Sequence, residues 1–201
     1  SWTKKFNTIS PKAGAVYQHN NDLSARVSVS KSVNEPRVRA MFNYGNPKEG
    51  ITLEEVVDTE FGVKYKTFGL NLYNMDFSGK NLLITNPEMA NIDDYDYKGR
   101  KYVPIGDANY SGLELYGSVE LPYGLVLDAS YSKSKNVWGT PFGEEGRNVL
   151  YQDSTDTGTK YETGFPQTIL SGNLSYKWKD LTAVVSSRYY DDIYIMENNS
   201  K

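Results

Sequence analysis

The side chains best suited to chemistry are few. The chain holds a single histidine, His19, set against the polar run Asn20-Asn21-Asp22. An imidazole acts as base, acid or ligand when a carboxylate orients it or a nucleophile joins it. No such partner stands at a matching spacing, so His19 reads as a solvated turn residue. Cysteine is absent, which removes thiolate metal sites and a cysteine nucleophile. Asp93, Asp94 and Asp96 crowd three carboxylates around the stretch Asp94-Tyr95-Asp96-Tyr97-Lys98-Gly99, two within it and Asp93 just before it. As a calcium loop it would carry Lys98 at the fifth position and Ile105 at the twelfth, where an EF-hand needs Glu. A hydrated acidic loop is the simpler reading. Glu114 and Glu120 lie six apart on an extended segment, about 20 Å, and a glycosidase pair needs its carboxylates within about 10 Å. The Asn-X-Ser matches at Asn109, Asn173 and Asn198 read as chance. No phosphate-cradling glycine loop, nucleophile elbow or HExxH stands in the chain. An enzyme is not expected, nor a cofactor or a metal.

What remains is recognition chemistry. Tyr95, Tyr97, Tyr102, Trp138, Phe142 and Tyr151 fall in long polar connections, beside Arg100, Lys101 and Arg147. Aromatic faces stack on sugars and flat chelates, and arginine meets anionic ligands in a fixed fork. The ligand-binding candidates are Tyr95, Tyr97, Arg100, Tyr102, Trp138 and Tyr151. The competing reading has these aromatics packing loop against loop. Lys plus Arg number 22 against 25 Asp plus Glu, a net charge of −3 with no basic run, so nucleic acid is not an expected partner. No apolar run of about 18 residues is present, so no membrane-spanning helix is expected.

The elements that must position these residues alternate with a period of two. In Leu23-Ser24-Ala25-Arg26-Val27-Ser28-Val29-Ser30 every second residue is apolar. Leu113, Leu115, Val119 and Leu121 oppose Glu114, Tyr116, Ser118 and Glu120. Leu125, Leu127, Ala129 and Tyr131 form another such stripe. Leu170, Leu174, Tyr176 and Trp178 oppose Ser171, Asn173, Ser175 and Lys177, and Leu181, Ala183, Val185 and Tyr189 oppose Thr182, Ser186 and Arg188. Successive side chains of a strand point to opposite faces, so each segment is a two-faced strand. Strands pair as hairpins over residues 13–18 with 23–30, 60–66 with 68–75, 112–121 with 125–131, and 168–178 with 181–190. Short turns join each pair. Long polar connections over 31–53, 77–108 and 133–165 fall at the opposite end. Loops of that length are rare in compact soluble domains.

Eight strands with tight turns at one end and long loops at the other are the layout of an antiparallel up-and-down transmembrane β-barrel. The apolar face would meet lipid and the polar face a wet lumen. Tyrosine, at 17 against 7 Phe and 3 Trp, is the residue of membrane interfaces. Tyr17, Tyr65, Tyr123, Tyr131, Tyr176, Trp178 and Tyr189 fall at or near strand ends, where an aromatic girdle belongs. The alternative is a soluble antiparallel β-sandwich binding module that uses its loop aromatics for carbohydrate. It requires Leu23, Val27, Leu113 and Leu174 to be buried against a second sheet. First and last strands both open toward the long-loop side. The expectation is therefore one partial barrel segment over residues 1–201, truncated at both ends.

The ordered motifs resemble the TonB-dependent outer-membrane receptors. Ser10-Pro11-Lys12-Ala13-Gly14-Ala15-Val16-Tyr17-Gln18 followed by Asp22-Leu23-Ser24-Ala25-Arg26-Val27-Ser28-Val29-Ser30-Lys31 is similar to the family's SPKxGxxYQ…DLSLxASVSKGF hairpin. Asn46-Pro47-Lys48-Glu49 and Glu60-Phe61-Gly62-Val63-Lys64-Tyr65 stand in the family's order. So do Phe68-Gly69-Leu70-Asn71-Leu72-Tyr73 and Leu174-Ser175-Tyr176-Lys177-Trp178. Ser32-Val33-Asn34 departs from the common GFR, and a usual proline is missing near Leu53-Glu54-Glu55. The resemblance implies a barrel of about 22 strands around a plug. It implies outer-membrane lipid, an N-terminal plug domain, the TonB complex reached through that plug, and a small nutrient ligand as partners. The ligand class would be a ferric siderophore, haem, cobalamin or a saccharide, imported across the outer membrane of a Gram-negative-type bacterium. Neither plug nor TonB box is expected within these residues.

Overall fold

Period-two alternation over long segments forms one sheet here. A computed structural model describes residues 5–35, 42–43, 46–47, 52–85, 88, 90, 98–139, 161 and 164–195. In chain order the strands are β1 (Lys12–Gln18), β2 (Leu23–Asn34), β3 (Phe42–Asn43), β4 (Asn46–Pro47), β5 (Glu54–Tyr65), β6 (Phe68–Thr85), β7 (Arg100–Leu121), β8 (Leu125–Trp138), β9 (Pro166–Trp178) and β10 (Leu181–Ile193). Eight of them form an all-antiparallel sheet in the order β1-β2-β5-β6-β7-β8-β9-β10, and β3 pairs only with β4. Within the eight-stranded sheet every strand pairs with its sequence neighbour, which is an up-and-down meander.

The short turns are built from residues that tolerate them. Asn20 Oδ1 accepts from the backbone N–H of Asp22 at 2.9 Å and of Leu23 at 2.8 Å, an Asx turn closing β1 onto β2. Lys66, Tyr123 and Lys179 hold φ of 53°, 67° and 51°, the left-handed conformation that tight hairpins require.

Register places the two faces. One row runs Ala15, Val27, Phe61, Leu72, Leu113, and another runs Val63, Leu70, Leu115, Tyr131, Leu170, Tyr189. The intervening rows carry Arg26, Gly62, Asn71, Glu114, Ser132 and Ser28, Glu60, Tyr73, Gly112, Ser134. Burial falls on the second face alone. Val56, Asn71, Ala108, Asn136, Trp138 and Gln167 are buried, and register assigns all six to it. The apolar face stays open: Val27, Leu115 and Leu174 are 49%, 45% and 41% exposed. Among the described residues no second layer covers that face, which is the requirement the β-sandwich needed and lacks. The apolar stretch from Leu113 to Leu121 spans eight steps, about 27 Å along the strand and roughly 20 Å across a bilayer at barrel tilt. Beyond it the same face turns polar, through Asn74, Asp76, Asn109 and Ser111. Asn109 donates to Asn74 at 2.8 Å and to Asp76 at 2.7 Å.

The strands outrun their alternation. β6 and β7 continue pairing through Thr85 and Arg100, so the 77–108 connection is shorter than the pattern implies. β8 likewise runs on to Trp138. Outside the apolar belt nothing demands an apolar outer face, so the period-two signal fades while the backbone ladder persists. Residues 42–43 and 46–47 form their small hairpin within the 31–53 connection.

Candidate functional site

The buried face carries a nonpolar cluster at the long-loop end, Ala108 and Trp138 with Phe77 and Tyr110 packed against them. There β6 departs from regular register between Phe77 and Lys80, where three steps on β6 match two on β7 from Ala108 to Gly106. Such a bulge re-aims side chains. Gly79 makes it possible: its φ is +67°, and a Cβ there would come within 2.9 Å of the Leu53 carbonyl oxygen. The extra residue turns Lys80 onto the same face as Phe77, where uninterrupted alternation would send it outward.

Lys80 then meets a ring of aromatics. Its Nζ lies 4.3 Å from the Tyr110 ring centroid, 4.6 Å from Phe77 and 5.6 Å from Trp138, and it donates to the Tyr110 hydroxyl. Phe77 and Tyr110 stand 4.5 Å apart, tilted by 48°, and Phe165 adds a ring 6.4 Å from Tyr110. Trp138 packs on Ala108 and spreads over Gly106, where a Cβ would stand 2.6 Å from Trp138 Cζ3. Ring faces attract an ammonium and fix where it lies. Among the described residues the patch brings ring faces and the Lys80 ammonium together, chemistry that suits a planar or aromatic anion.

Toward the short turns the same face becomes polar. Arg26 lies across Gly62, donates to Asn71 Oδ1 at 3.1 Å and pairs with Glu60 at 3.3 Å. Tyr73 covers Gly112 in the same manner. Back at the level of the patch, where Asn136 pairs with Tyr110 and the β8–β9 ladder has ended, Gln167 Oε1 accepts from the Asn136 N–H at 2.9 Å. Asp58 Oδ1 is shielded and has no hydrogen-bond partner among the described residues, on a face that otherwise satisfies its buried polar atoms. The described residues hold no group of three or more metal-ligating side chains.

The sequence candidates divide three ways. Trp138, expected in a loop, is the last residue of β8, buried, and part of the lysine-centred patch. Arg100 and Tyr102 are strand residues, paired with Thr85 and Leu83 at the start of β7. Tyr95, Tyr97 and Tyr151 lie outside the described residues, as do Phe142, Arg147 and the acidic triple Asp93, Asp94 and Asp96. Lys101 on β7 pairs with Ile84 on β6. Sequence reasoning missed Lys80, Phe77, Tyr110 and Phe165. The one signal that could have found Lys80 is Gly79, a glycine interrupting a strand pattern, which marks a bulge.

The family model described as TonB-dependent receptor-like, beta-barrel matches residues 1–200. No curated protein sequence matches the chain. Among solved structures, the FrpB iron transporter from Neisseria meningitidis (F3-3 variant) superposes with a TM-score of 0.60 at 18% identity, over 90% of this chain and 26% of that one. The copper transporter OprC gives 0.64 at 16% identity, over 89% and 25%. The ferric-catecholate import receptor Fiu from E. coli K12 gives 0.59 at 16%, over 91% and 24%. The chain thus spans about a quarter of each of these receptors.

Proposed function

The chain belongs to the TonB-dependent receptor β-barrel family, and from that premise we propose that it forms part of the barrel wall of an outer-membrane receptor that imports a scarce nutrient. The exposed apolar face meets outer-membrane lipid. The buried face looks into the lumen, toward an N-terminal plug domain through which the TonB complex supplies the driving force. Family barrels enclose their plug, and Asp58 supports this reading: a shielded carboxylate oxygen without a partner on the inner wall calls for a donor from outside these strands.

The observation that carries the nutrient reading is the Lys80 patch. It combines a cation with Phe77, Tyr110, Trp138 and Phe165 at the long-loop end of the inner wall, where a ligand descending from outside first meets the barrel. Rings and one oriented ammonium favour a flat anionic chelate, the chemistry of a metal bound by an aromatic or conjugated siderophore. Haem, cobalamin and saccharides are the other classes the family membership admits. Tyr95, Tyr97, Arg100, Tyr102 and Tyr151 are the sequence candidates for further ligand contacts. The role is transport, with no reaction catalysed by these residues.

The test is uptake in cells carrying the full-length receptor, read as growth on one metal chelate at a time. Lys80→Met and Trp138→Ala should reduce uptake of the cognate chelate with surface abundance unchanged. Undiminished uptake of every chelate by both variants would remove the patch from the ligand path.

A further inference from the structure

The outward face carries a trough. Gly117 on β7, Ala129 on β8 and Gly172 on β9 stand side by side in one row. The row on the long-loop side is large, with Leu115, Tyr131 and Leu170, and Val119 and Leu127 flank the trough on the other side. Phe68 closes one end, its ring lying over Gly117. The trough measures about 620 Å³, within the roughly 300–1,000 Å³ of small-molecule sites. It is walled by β5 through β9, so no strand beyond β1 or β10 is needed to complete it.

One end is charged. The trough reaches Tyr65 and Phe68, the residues that flank the Lys66-Thr67 turn. The Lys66 Nζ lies 5.5 Å from the Tyr65 ring centroid. It pairs with the Asp22 carboxylate at 3.9 Å, and both side chains are more than half exposed. An ammonium has three donors, so this contact leaves capacity for a second anion. The β9–β10 turn repeats the device, with Lys179 4.9 Å over Trp178. The site thus has a long apolar body ending at a cation beside an interfacial aromatic.

We propose that this trough holds an acyl chain of a glycerophospholipid in the periplasmic leaflet, with the headgroup phosphate on the Lys66 ammonium. Charge complementarity selects this occupant. A phospholipid is one apolar tail with one anion at its end, in the order the trough and Lys66 present. A second protein belt would bring a broad surface and no anion fixed at that depth. Short turns of such barrels face the periplasm, which sets the leaflet. The inference rests on the membrane-barrel reading.

Native mass spectrometry of the full-length receptor, extracted from outer membranes and exchanged into a delipidating detergent, tests it with phosphatidylglycerol as the added probe. Wild type should retain at least one phospholipid. Lys66→Gln should weaken phosphatidylglycerol retention about two- to fivefold, as expected for an exposed charge contact. Ala129→Leu fills the trough and should abolish retention. Gly172→Leu is the second filling variant, since a Cβ there finds only the Asp128 carbonyl oxygen, at 3.8 Å. Heat-modifiable migration on gels establishes that each variant is folded. A membrane-extracted receptor without retained phospholipid, retention unchanged in both filling variants, or a lipid-free dimer overturns the trough proposal alone. Recovery of the wild-type protein in the soluble fraction overturns the barrel reading beneath it.

Discussion

Two adjacent residues on β7 separate a membrane wall from a soluble sheet. Leu115 lies on the open apolar face and Glu114 on the opposite one, in the row of Asn71 and Ser132. Leu115 stands one row from Gly117, the middle of the apolar stretch from Leu113 to Leu121. Arginine on the lipid face near the bilayer midplane costs about 2–4 kcal/mol. Leu115→Arg should therefore lose about 2–3 kcal/mol, a shift of roughly 30- to 150-fold in the folded fraction. Glu114→Arg faces the lumen and should change stability by no more than about 0.5 kcal/mol. Asn74→Arg, on the lipid-side face but above the apolar belt, should cost about 0–1 kcal/mol, the interfacial value. The assay is urea-titrated folding of the full-length receptor into phospholipid vesicles, read by heat-modifiable gel migration. In a sheet that faces water, Leu115 is already 45% exposed, and arginine there would cost little. Equal midpoints for Leu115→Arg and Glu114→Arg would refute the assignment of faces.

Three further outcomes follow from single contacts. Lys80→Met should leave the barrel folded and lower affinity for an anionic chelate about tenfold, with Lys80→Arg recovering part of it, measured by equilibrium binding to the purified receptor. Gly106→Val places a side chain where the Trp138 ring lies and should cost about 1–3 kcal/mol by overpacking, with Trp138 emission shifted to the red. Asn20→Ala removes both side-chain hydrogen bonds that close the first turn and should cost about 1 kcal/mol, read as a lower urea midpoint.

The architecture was legible because a barrel wall imposes a strict rule inside the membrane. Leu113 and Leu115 face outward and Glu114 inward, and every short turn falls where the alternation stops. Strand ends were less legible. Phe77 through Thr85 and Arg100 through Ala108 lie beyond the apolar belt, where pairing rests on the backbone and any side chain is tolerated. Trp138, expected in a loop, is the last residue of β8 for the same reason. Lys80 was invisible because a bulge inverts its face, and alternation alone sends it outward. Tyr110 was not singled out, since its surroundings depend on rings brought from β6, β8 and Phe165 by register. The sandwich reading fails on one physical point, that Val27, Leu115 and Leu174 stay exposed.

The central claim is a transmembrane wall with long connections outside and short turns inside. These 201 residues contain no cysteine, so a cysteine placed among them is the single thiol of this wall segment. Lys98→Cys sits at the exposed long-loop end and Tyr123→Cys at a short turn, where Tyr123 is 90% exposed. A membrane-impermeant maleimide applied to intact cells should label Lys98→Cys and leave Tyr123→Cys unlabelled until the outer membrane is broken. Labelling of both positions on intact cells, or of neither until cells are lysed with the protein recovered in the soluble fraction, would contradict the account.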